Sequence, residues 1–280
     1  MNLLRRYKRA SLSCICFIFL SVHCIAQDTS LHNYFSLQGG MNMLKRQDLI
    51  FSPFIHNDIS FLNTEIRYGH ERRLRQDIVI SFSSFQSSIT GAYDYYSDGD
   101  TLTQFPHAFN LIDINYSLSK KIMEKERLTL YAGGSFANNI DVMNYYYGFA
   151  SYFGYFATFS LSGMAQVTYK INENSKIHAG VSVPLVSQVA RSPYLINDDE
   201  FIQNNYSHNG VKTFFAYLAD GNMETLNHFQ KLTAEITYST QLSERWEAGV
   251  QYSFDFSHYS PVASFTSVEN KINILIKYNF

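Results

Sequence analysis

The chain has 280 residues, of which 46% are hydrophobic and 16% charged, with a formal net charge of −2. All three cysteines precede residue 25, so a mature chain that starts after them can have neither a disulfide framework nor a thiolate catalyst. The charge shows no basic surplus that would indicate a nucleic-acid partner. The composition is rich in aromatic residues, with 21 tyrosines and 23 phenylalanines.

The first 26 residues predict a cleaved signal peptide. Four basic residues, Arg5, Arg6, Lys8 and Arg9, precede an apolar stretch at residues 12–25 that is too short to span a membrane as a helix. Ala26 supplies a small residue for cleavage, so the mature chain is expected to cover residues 27–280. Lipidation of Cys24 is the alternative, but His23 stands where a lipoprotein signal has a small residue.

The expected mature chain is acidic and has no predicted membrane helix. The signal segment contains four of the 22 basic residues and none of the 24 acidic ones. No later segment reaches 18 consecutive apolar residues, which excludes a helical membrane span by the usual criterion. A high aromatic content without such a span favours a transmembrane β-barrel over a soluble globular domain.

Ten segments with alternating character predict ten β-strands. The clearest is the fourth, where Ile112, Ile114 and Tyr116 alternate with Asp113 and Asn115. A period of two is the spacing of a strand with one apolar and one polar face. The ten segments are roughly residues 33–44, 58–71, 76–86, 109–119, 127–138, 155–170, 176–185, 231–242, 246–256 and 270–280.

The connections between these strands alternate in length. Short polar turns, such as residues 72–75, 171–175 and 243–245, alternate with longer connections at about 45–57, 87–108, 139–154, 186–230 and 257–264. This asymmetry is typical of an outer-membrane barrel and puts both termini on the short-turn side. The sequence predicts one all-β domain, a transmembrane antiparallel up-and-down β-barrel of about ten strands, with twelve or eight as alternatives.

The pattern resembles the Gram-negative outer-membrane β-barrel proteins. The resemblance rests on the signal segment, the alternating segments and the final "IKYNF", in which Tyr278 and Phe280 are similar to the C-terminal assembly signal of that class. It implies recognition by the barrel-assembly machinery and insertion from the periplasm. The stretch "VPLVSQVARSPYL" at residues 183–195 resembles small barrels of Bacteroidota.

Charged residues on the polar face of the strands are predicted to point into the lumen. They are Glu65, Arg67, Asp113, His178, Glu235, Glu247, Asp255, Lys271 and Lys277. A ten-stranded barrel is narrow, and unpaired charges inside it would be costly, so opposite charges should meet across the lumen. They could form either a charged constriction that selects ions or a plug of ion pairs.

Other clusters have simpler interpretations. The aromatic runs at residues 93–96, 145–149 and 152–156 are expected in interfacial girdles, with a partner-binding surface as the alternative. Asp94, Asp98, Asp100 and the stretch 197–200 lack the ligand spacing of a calcium loop. No metal and no cofactor is predicted.

A barrel hydrolase would need a nucleophile or water beside a histidine and an acid. Ser207 and His208 are adjacent, so on an extended chain their side chains point to opposite sides. His56 and Asp58 share a face and could meet at a rim. Neither pair is sufficient to predict an enzyme or to assign a catalytic residue.

The leading expectation is a non-catalytic barrel, either a narrow, porin-like passive pore or a structural barrel with surface-exposed loops. It would lie in the outer membrane with its loops extracellular and both termini periplasmic. The expected partners are outer-membrane lipid, lipopolysaccharide and the barrel-assembly machinery. The alternatives are a binding or adhesion module that uses the loop 187–229, and a hydrolase acting on lipid or peptide.

Overall fold

The computed structural model describes residues 33–72, 74–97, 99–147, 150–192, 194, 212, 216, 219 and 221–280. The predicted signal peptide, residues 1–26, lies outside them. Thirteen β-strands occur in the described residues: β1 (Asn33–Asp48), β2 (Ser52–Glu71), β3 (Leu74–Gln86), β4 (Tyr93–Ser97), β5 (Asp100–Gln104), β6 (Ala108–Glu124), β7 (Leu128–Tyr147), β8 (Ala150–Lys170), β9 (Ser175–Arg191), β10 (Asn222–Glu224), β11 (Phe229–Gln241), β12 (Trp246–Tyr259) and β13 (Phe265–Asn279). No helix among the described residues is long and apolar enough to cross a membrane.

Ten of these strands form a closed antiparallel barrel. Each strand pairs with the next along the chain in the order β1, β2, β3, β6, β7, β8, β9, β11, β12, β13. Strand β13 then pairs with β1 over the whole length from Tyr34–Asn279 to Asp48–Phe265, which closes the sheet. The predicted up-and-down barrel of ten strands is confirmed, and neither eight nor twelve strands form the barrel in the part of the chain that the structure describes.

Two short hairpin elements lie outside the ten-stranded barrel. Strands β4 and β5 pair only with each other and form a separate two-stranded sheet. Strand β10 pairs with residues Ser187–Val189 of β9, inside the predicted 187–229 loop. Both belong to the end of the barrel opposite the termini, which we call the long-connection end; the end that holds Asn33 and Phe280 is the short-turn end.

The barrel strands are longer than the sequence pattern predicts. Strands β7 and β8 have 20 and 21 residues, and β1 and β2 are joined by residues 49–51 alone. The long connections expected at 45–57 and 139–154 are therefore mostly strand, and that expectation was wrong. In these segments the outward positions include the polar residues Lys45, Asn57 and Asn144. The alternation of apolar and polar residues is therefore lost although the backbone pairing continues.

The two faces of the sheet differ sharply in polarity. On β13, Ile272, Ile274 and Ile276 point outward and are 41%, 69% and 53% exposed, whereas the alternate residues Lys271 and Asn273 are 5% and 1% exposed. The same alternation runs through the other barrel strands and produces an apolar outer belt. Such a belt around a polar interior is the arrangement of a membrane-spanning barrel.

Strand β2 changes the face of its side chains once. Two consecutive residues, Phe61 and Leu62, both point outward, and the register with β1 shifts there between Gly40 and Asn42. A bulge of this kind inserts one extra residue and reverses the inward–outward order beyond it. As a result His56 and Asp58 point inward above the bulge, as Glu65 and Arg67 do below it.

An apolar plug fills the interior at the long-connection end. Twelve buried side chains form it: Leu44, Phe51, Phe85, Phe109, Leu111, Met143, Tyr145, Phe156, Val189, Phe229, Tyr259 and Phe265. Tyr145 and Phe156, which were expected in a lipid-facing girdle, lie inside the barrel. Protein interiors are close-packed, and large aromatic rings fill this part of the barrel.

Aromatic side chains also ring the outer face at the short-turn end. The girdle consists of Tyr68, Tyr169, Tyr238, Trp246, Tyr278 and Phe280, each within a few residues of a short turn or the C-terminus. Tyr278 lies 4.9 Å from Trp246 and 6.0 Å from Phe280, between ring centroids. Amphipathic rings of this kind suit the membrane–water interface.

Candidate functional site: the barrel interior

The structure places all nine predicted lumen charges on the inner face. Glu65, His178, Glu247 and Lys271 are each less than 10% exposed, and the remaining five are only partly accessible. The alternation of each strand determines this placement, because every second residue must face the interior. The partners of these charges determine whether they form ion pairs or line an open path.

Arg67 links two distant walls of the barrel at mid-depth. One guanidinium nitrogen lies 3.0 Å from Glu65 Oε1 on the same strand and 2.9 Å from Glu235 Oε2 on β11. Glu235 also accepts a hydrogen bond from Gln251 at 3.1 Å and lies 3.6 Å from His178 Nε2. Of these contacts, the Arg67–Glu235 pair crosses the lumen.

Lys271 forms a second link one level above. Its ammonium donates to Asp113 Oδ2 on β6 at 3.1 Å and lies 3.3 Å from Glu269 on its own strand. Asp113 also accepts from Asn139 at 2.5 Å, and Glu269 accepts from Asn42 at 2.8 Å. We call the groups Glu65, Arg67, Asp113, His178, Glu235, Glu269 and Lys271 the charged layer.

The remaining predicted charges lie above and below this layer. At the short-turn end, Glu247 accepts from Lys176 at 3.0 Å and lies 3.5 Å from Lys277. The ammonium of Lys277 also sits 4.1 Å from the centre of the Tyr34 ring. Asp255, nearer the plug, accepts a hydrogen bond from Thr233 at 2.6 Å.

Several interior charges were not identified from the sequence. Arg46 binds Asp141 at 2.8 Å and stacks 4.6 Å over Phe265, and Asp48 binds Arg191. Near the short-turn end, Arg75 binds Asp77 at 2.9 Å, and Asp77 also accepts a hydrogen bond from Tyr34. Arg46, Asp48 and Asp141 were missed because their segments were interpreted as connections. Leu44, Arg46 and Asp48 nevertheless continue the inward parity of Asn42, which was the available signal.

A small cavity lies between the plug and the charged layer. The cavity there measures about 20 Å³ and is lined by plug residues such as Phe156 and Phe229 and by Asp113, Asp141 and Glu269. That volume holds about one water molecule. A larger depression of about 520 Å³ opens at the short-turn mouth, where its lining includes Arg127, Lys170 and Glu247. None of its lining residues belongs to the charged layer.

His56 and Asp58, which lie near the plug, do not form a catalytic triad with a serine. His56 Nδ1 lies 2.8 Å from Ser87 Oγ, but Asp58 accepts hydrogen bonds from Ser88 instead of binding His56. His56 and Ser87 are 1% and 3% exposed, so no substrate reaches them in this conformation. The other proposed pair, Ser207 and His208, lies outside the described residues.

His107 lies in the connection between β5 and β6 and belongs to the same apolar surroundings. Its ring centroid is 5.0 Å from Tyr145, and its Nε2 is 3.0 Å from the Tyr146 carbonyl oxygen. Burial lowers the pKa of this imidazole, which keeps it neutral beside the plug. Within the described residues, no group of three or more His, Cys, Asp or Glu side chains could hold a metal ion.

The predicted assembly residues lie together at the closing seam of the barrel. Asn33 and Phe280 exchange two backbone hydrogen bonds of 3.1 and 2.8 Å, which pair the first described residue with the last. The side chains of Tyr278 and Phe280 point outward, into the girdle. Both are therefore accessible from outside the folded barrel.

Comparison with known proteins gives similarity of fold only. No protein-family model and no curated protein sequence matches the chain. The outer membrane protease OmpT of Escherichia coli is 8% identical, with 93% of this chain and 100% of that chain covered and a TM-score of 0.48. Neisserial surface protein A is 10% identical over 89% and 97%, with a TM-score of 0.35. The translocator domain of autotransporter NalP from Neisseria meningitidis is 7% identical over 99% and 97%, with a TM-score of 0.41.

At these identities and TM-scores the likeness assigns no role to this chain, and the resemblance of residues 183–195 to barrels of Bacteroidota stays a prediction. The fold itself follows from the sheet. Ten antiparallel strands, a closed register, a polar interior and an apolar outer belt give this chain the fold of a small outer-membrane β-barrel.

Proposed function

We propose that the chain is a non-catalytic outer-membrane barrel with a closed interior that holds its long connections at the cell surface. Its termini would face the periplasm, because Asn33 and Phe280 lie at the short-turn end. Assembly by the barrel-assembly machinery is proposed with it, since Tyr278 and Phe280 are accessible at the seam. Outer-membrane lipid and lipopolysaccharide would surround the apolar belt.

The observation that carries this proposal is that side chains from distant walls meet inside the barrel at two depths. In the plug, the rings of Phe156 on β8 and Phe265 on β13 stack with centroids 4.1 Å apart. In the charged layer, Arg67 and Glu235 bridge β2 and β11 at 2.9 Å. An ion-selective constriction needs a continuous wet path, and contacts between opposite walls at two depths argue against one.

Single-channel conductance tests the proposal. We expect the mature protein, refolded into a planar bilayer, to show no discrete conductance steps. A variant that removes both sets of contacts, with Phe156→Ala and Phe265→Ala in the plug and Arg67→Ala and Glu235→Ala in the charged layer, should conduct. Heat-modifiable mobility on a gel verifies folding in both cases. Discrete conductance steps from the folded wild type would overturn the proposal of a closed interior and favour the narrow pore.

The surface role would then belong to the long connections. Residues 87–107 contain three aspartates and no lysine or arginine, and part of this segment forms the separate β4–β5 sheet. On that sheet Tyr93 and Tyr96 are 53% and 74% exposed. Most of the 187–229 segment lies outside the described residues, and its use as a binding or adhesion module remains the alternative.

Hydrolysis is less well supported by the geometry. A triad needs the acid to orient the histidine and the nucleophile to lie at its other nitrogen, whereas Asp58 is bonded to Ser88 and not to His56. We expect Ser87→Ala to leave any lipid- or peptide-cleaving activity of the purified barrel at its wild-type level. An activity that this substitution abolishes would reinstate the enzyme.

A further inference from the structure

The four short turns share a pattern of aliphatic and basic side chains that takes no part in the contacts of the charged layer. Each turn carries one outward aliphatic side chain: Leu74, Ile122, Ile171 and Leu242 are 42%, 57%, 40% and 67% exposed. Three of the turns also carry a basic residue within three positions, namely Arg72, Lys120 and Arg245, whereas Lys170, next to Ile171, lines the mouth of the interior. These turns connect β2 to β3, β6 to β7, β8 to β9, and β11 to β12.

The two ends of the barrel differ in charge. The short-turn segments 71–74, 120–128, 170–175 and 242–246 contain eight basic and five acidic residues. The long connections 87–107 and 186–230 contain two basic and eight acidic residues. An anionic surface would therefore attract the short-turn end and repel the opposite end.

The aliphatic residues lie at the depth of a membrane interface. Ile171 follows the girdle residue Tyr169 by two positions, and the Leu242 amide donates a 2.8 Å hydrogen bond to the carbonyl of the girdle residue Trp246. An aliphatic side chain at this level inserts at the boundary between headgroups and acyl chains. A neighbouring lysine or arginine can then extend its charged end to the lipid phosphates.

We propose that this ring of paired aliphatic and basic side chains binds the headgroups of anionic phospholipids in the leaflet next to the short turns. The inference rests on the proposed membrane insertion and adds a lipid preference to it. The aliphatic contacts are equally favourable with any phospholipid, so the preference for a net negative headgroup comes from the basic residues. Phosphatidylglycerol is a suitable probe, and phosphatidylcholine supplies the same acyl contacts without the net charge.

One of the turns carries a built-in reporter. Trp246 is the only tryptophan in the chain and is 47% exposed on the outer face. Arg245 precedes it and donates a 3.2 Å hydrogen bond to the hydroxyl of Tyr278. Brominated lipids quench tryptophan fluorescence on contact, so quenching of Trp246 measures which lipid lies beside Arg245 and Leu242.

The experiment refolds the full mature chain into phosphatidylcholine vesicles that contain either brominated phosphatidylglycerol or brominated phosphatidylcholine at the same mole fraction. At low salt we expect the brominated anionic lipid to quench Trp246 with a roughly two- to fivefold preference over the brominated neutral lipid. This is the size of effect that one basic residue near the membrane surface provides. The preference should fall towards one at about 1 M salt, where the Debye length is about 3 Å.

Three variants locate the effect. Arg245→Gln should reduce the preference to about one, whereas Arg245→Lys, which retains the charge, should keep it. Lys45→Gln is the matched control, because Lys45 is an exposed outward base on β1 near the long-connection end of the barrel. This substitution should leave the preference unchanged. A preference that survives Arg245→Gln would overturn the inference.

The failures of the two proposals are distinguishable. Equal quenching by both brominated lipids in the wild type would overturn the lipid preference while leaving membrane insertion intact. No quenching by either lipid from folded protein would overturn the insertion itself.

Discussion

Individual charges inside the barrel are paired with residues far away in the sequence. The Arg46 side chain is 0% exposed and lies 2.8 Å from Asp141, which is 95 positions later. Removing two charges from water costs several kcal/mol per ion, so such a pair adds little net stability. Its effect is to penalise arrangements in which one charge is buried without the other, which favours this relative placement of β1 and β7.

A double-mutant cycle on this pair is the test at the residue scale. Arg46→Met alone should destabilise the barrel by about 3–5 kcal/mol, because Asp141 is left buried without its partner. Arg46→Met combined with Asp141→Leu should recover most of that loss. The free energy of unfolding in urea measures all three variants. A double variant as unstable as Arg46→Met alone would show that the pair itself contributes the stability.

Among the strands, β13 has a special position because it closes the sheet. Its register with β1 runs without a shift over fifteen residue pairs, whereas the pairing of β1 with β2 shifts twice. The C-terminal residue extends this seam, since Phe280 exchanges both backbone hydrogen bonds with Asn33. Closure removes the unpaired edges that an open sheet would leave in lipid.

Deleting Phe280 tests the terminal strand. The deletion removes two hydrogen bonds and one girdle ring, so we expect a several-fold loss of surface-exposed, heat-modifiable barrel in cells. Phe280→Tyr keeps the backbone bonds and an aromatic ring and is the matched control. If the residue is an assembly signal, refolding of the purified deletion variant into detergent should be affected much less. Unchanged surface levels in cells would contradict that role.

At the scale of the whole molecule, the longest connection leaves the barrel and returns to it at adjacent positions. Val189 and Asn222 are register partners, so the chain leaves β9 and returns on β10 at adjacent positions. A few residues could therefore join the two strands. The interior contacts of Phe156 with Phe265 and of Arg67 with Glu235 do not involve the intervening residues.

Replacing residues 195–220 with a short Gly-Ser linker tests whether the barrel folds without the longest connection. We expect unchanged heat-modifiable mobility and a thermal midpoint within a few degrees of the wild type, because no barrel strand is shortened. Any binding of cells or surfaces by the full-length protein that disappears in this variant would assign that activity to the connection. Failure of the variant to fold would show instead that the connection supports the barrel.

The local pattern was enough to predict the strands and the direction of their side chains. Alternation is a property of each strand alone, so the ten barrel strands and the inward positions of residues such as Glu65, Asp113 and Lys271 follow from the sequence by itself. In the terminal "IKYNF", Ile276, Tyr278 and Phe280 face outward, and the stretch is paired as its alternation predicts. The predicted strand ends were less accurate, because polar outward residues such as Lys45 interrupt the apolar alternation where the strand is still paired.

Only the tertiary structure decided which side chains meet in the interior. Phe156 and Phe265 are 109 positions apart, and Arg67 and Glu235 are 168 apart. Their meeting depends on barrel closure, on the stagger between strands and on the bulge at Phe61 and Leu62, which reverses part of β2. None of these is a property of a single segment. A charge pattern along one strand therefore shows which way each group points, and the closed barrel determines which group it meets.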